Sequence, residues 1–517
     1  MNLGLCNTCR KIVPANPLDR DGKVFLVKNC SSCGPTETLI SSDSRRYHDK
    51  QTLDLDSNHH GCALNCLHCR IEKKPNVVFV DLTNRCNLNC PICINNTPSM
   101  GFLFEPPIEY FDKIFKHFST FNPRPFLQLF GGEPTVRKDL LDIIRLARSY
   151  KLQARLVTNG IALADEEYCR KLLKTRPIIY FAYDNDNPEV YRVFRGSAKA
   201  LELKQKAIEN IGKIGGAKVI LMSLVAMGFN EKDLDRLVQF CHERRDFVRA
   251  IFFMPLTHNW HTKDLHIEPE HINTEDVENL VAELFPSESV EFLPAGFFGQ
   301  LKTINKYLKI KPLPFGGAHP NCESMSILLS DGEKYVPLTH YLRGTMYSVA
   351  CELRDAERRL AAAEVSMETS AFGRLLAKMH LKNTILQIRA LASVLSIVVR
   401  HGRWGQLLKG SGLGKVKNGI MASLELLVGR KKVLTRRTTV QRELQLVVLP
   451  FEDKYTLETL RLERCPAVFA YVDPKDDQVK YVTACAWGMQ KTAVMREIVE
   501  HYSGASPETV AASPASG

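Results

Sequence analysis

Ten of the sixteen cysteines of this 517-residue chain fall before residue 94, in pairs and triplets separated by two or three residues. That spacing constrains the fold more than any other feature. No positively charged, then apolar leader opens the sequence and no uninterrupted apolar run reaches about 18 residues, which points to a cytoplasmic protein without a membrane span. In a reducing compartment, thiols grouped this closely are metal ligands rather than disulfide partners. The length exceeds what one hydrophobic core serves, so about three or four domains are expected.

Residues 1–45 hold Cys6-Asn-Thr-Cys9 and Cys30-Ser-Ser-Cys33, with Asp19-Arg20-Asp21-Gly22 as a turn leading into Val24-Phe25-Leu26-Val27. This predicts two metal knuckles joined by a hairpin. Four thiolates at paired spacing suit tetrahedral zinc or a mononuclear iron of rubredoxin type, and the spacing does not separate the two.

From residue 76 to about 265, short β-rich runs alternate with longer amphipathic stretches, the signature of a parallel sheet with crossover helices. Strands are predicted at Val77–Asp81, Phe126–Phe130, Ala154–Val157, Ile178–Tyr183, Val219–Val225 and Ala250–Met254, with helices between them such as Val136–Tyr150 and Leu201–Ile214. The fold class is therefore α/β, a partial (βα)6 TIM-like barrel with a small N-terminal metal knuckle and α-rich plus α/β C-terminal extensions. Its reactive groups belong at the carboxyl ends of the strands.

The strongest motif sits there. Directly after the first strand runs Leu82-Thr83-Asn84-Arg85-Cys86-Asn87-Leu88-Asn89-Cys90-Pro91-Ile92-Cys93. Three thiolates can hold three irons of a cubane cluster and leave the fourth open to bind and reduce a substrate. One unit later comes Phe130-Gly131-Gly132-Glu133-Pro134. Its glycines let backbone approach a ligand closely, and Glu133 offers an acceptor to an ammonium group. A C-x3-C-x2-C loop at a strand end followed by this turn resembles the radical SAM superfamily. The resemblance implies that Cys86, Cys90 and Cys93 carry a catalytic [4Fe–4S] cluster whose open iron chelates the amino and carboxylate groups of S-adenosylmethionine (SAM). It also implies that Gly131, Gly132, Glu133 and Pro134 form the turn that contacts the methionyl amine. At later strand ends Thr158, Asn159, Asp184 and Ser223 are placed to hydrogen-bond a ribose or carboxylate, although such residues more often serve as turns and caps.

Residues 46–75 contain a second C-x3-C-x2-C, formed by Cys62, Cys66 and Cys69, with no predicted strand before it. It is expected to hold an auxiliary [4Fe–4S] cluster. Knuckle, auxiliary loop, barrel and cysteine-bearing tail together resemble the tetraether lipid (macrocyclic archaeol) synthases among radical SAM proteins. That resemblance implies hydrogen abstraction from the methyl end of a lipid chain by a 5′-deoxyadenosyl radical, then carbon–carbon coupling near an auxiliary cluster. Such chemistry also needs an external electron donor of flavodoxin or ferredoxin type. The auxiliary loop is followed by Arg70-Ile71-Glu72-Lys73-Lys74, with no fourth cysteine nearby. Cys322 in a barrel extension at 266–345, or His59 or His60, could complete it. Cys465 and Cys485, in a C-terminal α/β unit at 441–503, could hold a further cluster with Cys322 or Cys351. Cys169 and Cys241, on helical patterns, read as ordinary buried thiols.

The net charge is +12, yet residues 371–437 hold fourteen Lys or Arg against one acid, Glu425, so the rest of the chain is near neutral. Charge concentrated in the helical segment 346–440 should meet something anionic. Leu381, Ile385, Ile388, Ala392, Leu395 and Val399 recur at helical spacing, and they mark either a buried helix or a grip for lipid. Basic residues around apolar helices, continuing through Lys409, Lys415, Lys417 and Arg430-Lys431-Lys432, suit anionic phospholipid headgroups at about 1 kcal/mol each. Nucleic acid is disfavoured, since Phe372 and Trp404 are the only aromatic residues there. A peripheral position at the inner face of the membrane follows, and residues 504–517 read as a disordered tail. The competing readings are a radical SAM maturase of peptides or small molecules, a radical SAM methyltransferase acting on a pterin or RNA, and an iron–sulfur electron carrier. The last would have no use for Gly131 to Pro134.

Overall fold

The computed structural model describes residues 1–56, 61–66, 74–95, 100–258, 265, 267–311, 313–378, 380–415, 417–419, 421 and 436–503. At the N-terminus, β1 (Leu3–Leu5), β2 (Ile12–Arg20), β3 (Lys23–Cys30) and β4 (Gly34–Ser41) form an antiparallel sheet in chain order. The hairpin between β2 and β3 turns on Asp21 and Gly22, both at positive φ (51° and 73°), which matches the right-handed twist of the flanking strands.

The six barrel strands form where the alternation puts them. β5 (Val77–Asp81), β6 (Phe126–Phe130), β7 (Ala154–Thr158), β8 (Ile178–Ala182), β9 (Lys218–Val225) and β10 (Val248–Pro255) lie side by side in chain order, all parallel. Every residue of β5 and β7 is buried, as befits strands covered on both faces. Helices such as Ile108–Ser119, Lys199–Ile214 and Leu234–Glu243 cover the outside; the first buries Tyr110, Phe111, Ile114, Phe115 and Phe118. The helix expected at Val136–Tyr150 spans Leu140–Ser149, because Pro134–Val136 forms a separate 3-10 turn capped by Glu133.

The sheet continues past these six strands. Downstream lie β11 (Leu293–Pro294), β12 (Ser324–Ser330), β13 (Tyr335–Pro337), β14 (Arg442–Val448), β15 (Ala467–Val472) and β16 (Val479–Thr483). β14 pairs in parallel with β10, Gln445 opposite Ala250, and β15 pairs in parallel with β5, Ala467 opposite Val77. β12 then adds antiparallel to β14, and β16 antiparallel to β15. Residues 441–503 thus supply a strand to each edge of the barrel sheet, satisfying backbone groups that an open six-stranded sheet would leave bare.

The last helix, Ala484–Ser503, lies against this new edge. Trp487 stacks on Phe469 with ring centroids 5.6 Å apart and donates from Nε1 to Asp81 Oδ2 at 2.9 Å. Lys491 Nζ donates to Asp81 Oδ1 at 3.0 Å, a buried ion pair at the end of β5. Away from the barrel, Met346–Thr369, Ala371–Lys378 and Lys382–His401 are helices. A second apolar core gathers Leu360, Leu386, Ala390 and Ile397 with Ile304 and Tyr307. Among the described residues, Lys382–His401 is the one helix long and apolar enough to cross a membrane, a property the count of uninterrupted apolar residues missed because Arg389 breaks the run.

Candidate active site

The cysteine loop leaves β5 and is stitched to the turn after β6. Gly132 N donates to Thr83 O at 2.6 Å and Glu133 N to Arg85 O at 2.8 Å. A Cβ on Gly131, whose φ is +142°, would overlap the carbonyl oxygen of Thr83, and one on Gly132 that of Arg85. The two glycines are therefore required by the approach of the Cys86 loop itself. The loop thus adds a requirement of its own to the ligand approach expected of Gly131 and Gly132, both of which line the cavity. Arg85 is in turn held by Glu105 through a bidentate pair at 2.6 and 2.8 Å.

Glu133 is buried and surrounded by donors. Its Oε1 accepts from Thr135 N (3.1 Å), Thr135 Oγ1 (2.6 Å) and Thr158 Oγ1 (2.6 Å), and its Oε2 from Asn159 N (2.7 Å). Burial raises its carboxyl above the usual range, and these four donors pull it back. With about four lone-pair sites on a carboxylate, one direction on Oε2 is left for a ligand. Pro134 starts the following 3-10 turn and does not reach the cavity.

Cys86, Cys90 and Cys93 line one cavity of about 240 Å³, together with Gly131, Gly132, Glu133, Thr158 and Asn159. Residues distant in sequence but predicted to serve one site thus meet. Leu88 N lies 3.4 Å from Cys86 Sγ, and burial pushes that thiol up to about 12. Neutral thiols are therefore favoured until a metal compensates the buried charge. Burial also raises Cys90, while Arg195 opposes the rise.

Asp184 and Ser223 do not line the cavity. Asp184 forms a bidentate ion pair with Arg195 (2.7 and 2.8 Å) and accepts from Leu224 N at 3.1 Å; Ser223 Oγ donates to Asp184 O at 2.9 Å. The Asp184 carboxylate holds Arg195 beside Cys90, and Ser223 holds the Asp184 backbone, so Arg195 is a cavity residue the sequence reading passed over. The signal available was an Arg directly before the helix-ending Gly196, eleven positions after an acid in apolar surroundings. Gln128, in mid-β6, was also missed: it lines the cavity with its Oε1 buried and, among the described residues, without a hydrogen-bond partner. Three thiols on one wall, a carboxylate with one acceptor direction open and an orphaned amide oxygen fit a cluster carrying a polar ligand.

The C-terminal segment contributes Phe451, Glu452, Phe469, Cys485, Trp487 and Lys491 to the lining of the same cavity. Glu452 is raised to about 8 by burial, against the pull of Arg461. Cys322 and Cys465 are electrostatic neighbours of the cavity-lining Cys485. Burial holds the Cys322 and Cys485 thiols well above their usual range, with the nearby thiols adding to it, and Arg461 Nη2 lies 3.7 Å from Cys322 Sγ. Cys351 belongs to the separate helical core, so it does not join this group. Gly61 N donates to Glu463 Oε2 at 2.8 Å, seating the start of the auxiliary loop on the helix Thr459–Arg464 that ends at Cys465. Cys62 and Cys66 pack against the barrel core, whereas Cys69, His59 and His60 lie outside the described residues. Cys169 and Cys241 are fully buried in the barrel core.

At the N-terminus the ligand atoms of Cys6, Cys9, Cys30 and Cys33 all lie within 4.8 Å of one another, and Cys9 Sγ is 3.7 Å from Cys30 Sγ. A tetrahedron with metal–sulfur bonds of about 2.3 Å has edges of about 3.8 Å, so the four thiols are preset for a metal. Backbone N–H groups of Cys9 and Thr8 draw the Cys6 thiol down to about 6, favouring the thiolate.

Residues 80–241 match the Radical SAM superfamily and residues 3–42 the HMPTM N-terminal zinc ribbon domain. The chain is 30% identical over 355 residues to the 7,8-dihydro-6-hydroxymethylpterin dimethyltransferase of Methanocaldococcus jannaschii, covering 66% of this chain and 70% of that protein. It is 28% identical to the GTP 3′,8-cyclase of Aliarcobacter butzleri over 42% of this chain and 65% of the relative. To the Fe-coproporphyrin III synthase of Methanosarcina barkeri it is 32% identical, over 35% and 42%.

Proposed function

Because the chain belongs to the radical SAM superfamily, it is an enzyme that depends on a [4Fe–4S] cluster and SAM, and we propose that it acts on an apolar, lipid-like substrate. The reaction is hydrogen abstraction from unactivated carbons followed by joining of two hydrocarbon tails. When bound, the cluster and SAM supply a 5′-deoxyadenosyl radical by one-electron reductive cleavage. Each bond joined takes a hydrogen atom from each of two carbons. Two SAM are therefore cleaved to methionine and 5′-deoxyadenosine, and two electrons come from an external donor of ferredoxin or flavodoxin type.

The observation that carries the reading is the aromatic lining of the cavity. Phe79, Phe130 and Phe252 from the barrel strands and Phe451, Phe469 and Trp487 from the C-terminal segment line it together with the three thiols. Such a lining excludes water and binds by apolar area, which suits an alkyl chain and protects a carbon radical from side reactions. The thiols of the Cys86 loop hold the cluster, Glu133 braces Thr158 and Asn159, and Asp184 orients Arg195. Auxiliary clusters on Cys62, Cys66 and Cys69, and on Cys322, Cys465 and Cys485, complete the proposal. The support for the second set is that Cys485 faces the cavity while Arg461 beside Cys322 offsets thiolate charge.

A second reading is favoured by the dimethyltransferase named above and by aromatic rings able to stack on a heterocycle: methylation of a pterin. Anaerobic incubation with SAM, a reductant and either a lipid or a reduced pterin separates the two. Coupling yields 5′-deoxyadenosine and a lipid with a new carbon–carbon bond. Methyl transfer leaves S-adenosylhomocysteine and a methylated pterin. Appearance of the second pair with no coupled lipid would replace the first reading. Cys465→Ala with Cys485→Ala should lose about four irons per chain and the coupled product while still forming 5′-deoxyadenosine.

A further inference from the structure

The helix Lys382–His401 carries apolar residues on two opposite faces. Leu386, Ala390 and Ile397 fall within one narrow arc and are buried in the core that includes Met346–Thr369 and Lys302–Leu308. Half a turn away, Leu381, Ile388, Ala392, Leu395 and Val399 form a second stripe at the same helical period. On it Ile388 is 60% exposed, Val399 55% and Leu381 41%. Packing inside one chain needs a single such face. Lys382, Arg389 and Arg400 follow one edge of this outer stripe, and exposed Arg374, Leu375 and Lys378 extend the same composition into Ala371–Lys378.

We propose that this outer face docks on an anionic lipid bilayer, the helix lying in the interface rather than crossing it. Spanning would require pulling Leu386, Ala390 and Ile397 out of the core they share with Met346–Thr369. Charge selects the occupant. Residues 371–437 carry fourteen basic residues against one acid, an excess that the pairing of Lys382 with Glu368 and of Arg400 with Glu352 on the neighbouring helix offsets only in part. A second copy of this chain would bring the same positive segment against itself, which like-charge repulsion opposes. An anionic headgroup layer supplies the opposite charge, and its acyl boundary receives Ile388, Leu395 and Val399. The surface is separate from the cavity, so this proposal stands whether or not the substrate is a lipid.

The test uses the full-length protein, purified anaerobically, and sedimentation with vesicles of phosphatidylcholine alone or mixed with phosphatidylglycerol. Binding should rise at least about tenfold with the anionic lipid. It should fall several-fold between about 0.1 and about 1 M salt as the Debye length shrinks from about 10 to about 3 Å, leaving a salt-resistant remainder from apolar insertion. Leu381→Ser, Ile388→Ser and Val399→Ser combined should abolish that remainder while leaving 5′-deoxyadenosine formation unchanged, since all three side chains are exposed. Ile388→Trp supplies a second readout: its fluorescence should shift to the blue with anionic vesicles. Equal binding to both vesicle types, an unaltered remainder in the triple variant, no shift in the Trp variant, or a dimer that the triple variant dissolves would each overturn the proposal.

Discussion

A carboxylate as enclosed as Glu133 serves a site either by touching a ligand or by holding the loops that do. Four donors already converge on it, from Thr135, Thr158 and Asn159, so most of its capacity goes into holding. Gly132 works beside it through what it lacks, because any Cβ there would displace Arg85 and with it the cysteine loop. The two residues should therefore fail differently. Gly132→Ala should lose iron at Cys86, Cys90 and Cys93 while the N-terminal knuckle keeps its metal. Glu133→Gln should keep both metals but weaken SAM binding about tenfold or more, because a buried donor left without an acceptor costs about 1–3 kcal/mol. Metal analysis paired with SAM titration checks both, and full iron in Gly132→Ala would remove the glycine from this role.

Elements distant in the chain are locked together by single buried side chains, and there stability is most exposed to substitution. Asp81 at the end of β5 receives both Trp487 and Lys491 from the last helix. Asp81→Ala leaves a buried ammonium unpaired and should cost about 3–5 kcal/mol in denaturant unfolding. Asp81→Ala with Lys491→Met should recover much of that loss, and a double variant as unstable as the single one would contradict the ion-pair account. A histidine joins another pair of elements: His242 Nε2 lies 3.0 Å from Ser330 Oγ at the end of β12. Burial, aided by Arg245, holds its pKa below the usual histidine value of 6.5. The unfolded chain then takes up a proton near pH 6.5 that the folded chain resists. Its contribution is present above that pH and is lost as pH falls through the lower, folded value. Thermal midpoints measured between about pH 7.5 and about pH 5 should drop less steeply in His242→Gln than in the parent. Parallel slopes would show that His242 does not set the acid limit.

At the scale of the whole molecule, the N-terminal knuckle is seated on residues 455–459, which closely follow the cavity-lining Phe451 and Glu452 in the chain. Buried Lys28 donates to Asn7 Oδ1 at 2.9 Å and also to Tyr455 O, while Asn2 Nδ2 donates to Glu458 Oε2 at 2.7 Å and Leu3 N to Thr459 Oγ1 at 2.8 Å. Chelating the knuckle metal should therefore speed hydrogen exchange at residues 452–465 as well as at 3–42, because metal binding energy is folding energy for a small unit built on four thiolates. Exchange that changes only in 3–42 would make the knuckle a passive appendage.

Much of this architecture was legible in the sequence. Spacing is a local property of a chain: C-x3-C-x2-C, Gly131-Gly132-Glu133 and the alternation of strand and helix act over a few residues to one unit, so the Cys86 loop, the six central strands and the four-thiol knuckle could be read directly. The outer stripe of Lys382–His401 was legible as a period but not as a face, because a repeat of apolar residues states which side chains align, not which side is covered. Pairings that span hundreds of residues carry no such local mark. β15 joins β5, β14 joins β10, and Trp487 and Lys491 reach Asp81 because open sheet edges and a buried carboxylate must find partners wherever the folded chain presents them. The cysteine motif and its ligand turn come from the first half of the chain, whereas Phe451, Phe469 and Trp487 join the same cavity only once the C-terminal segment has closed onto the barrel.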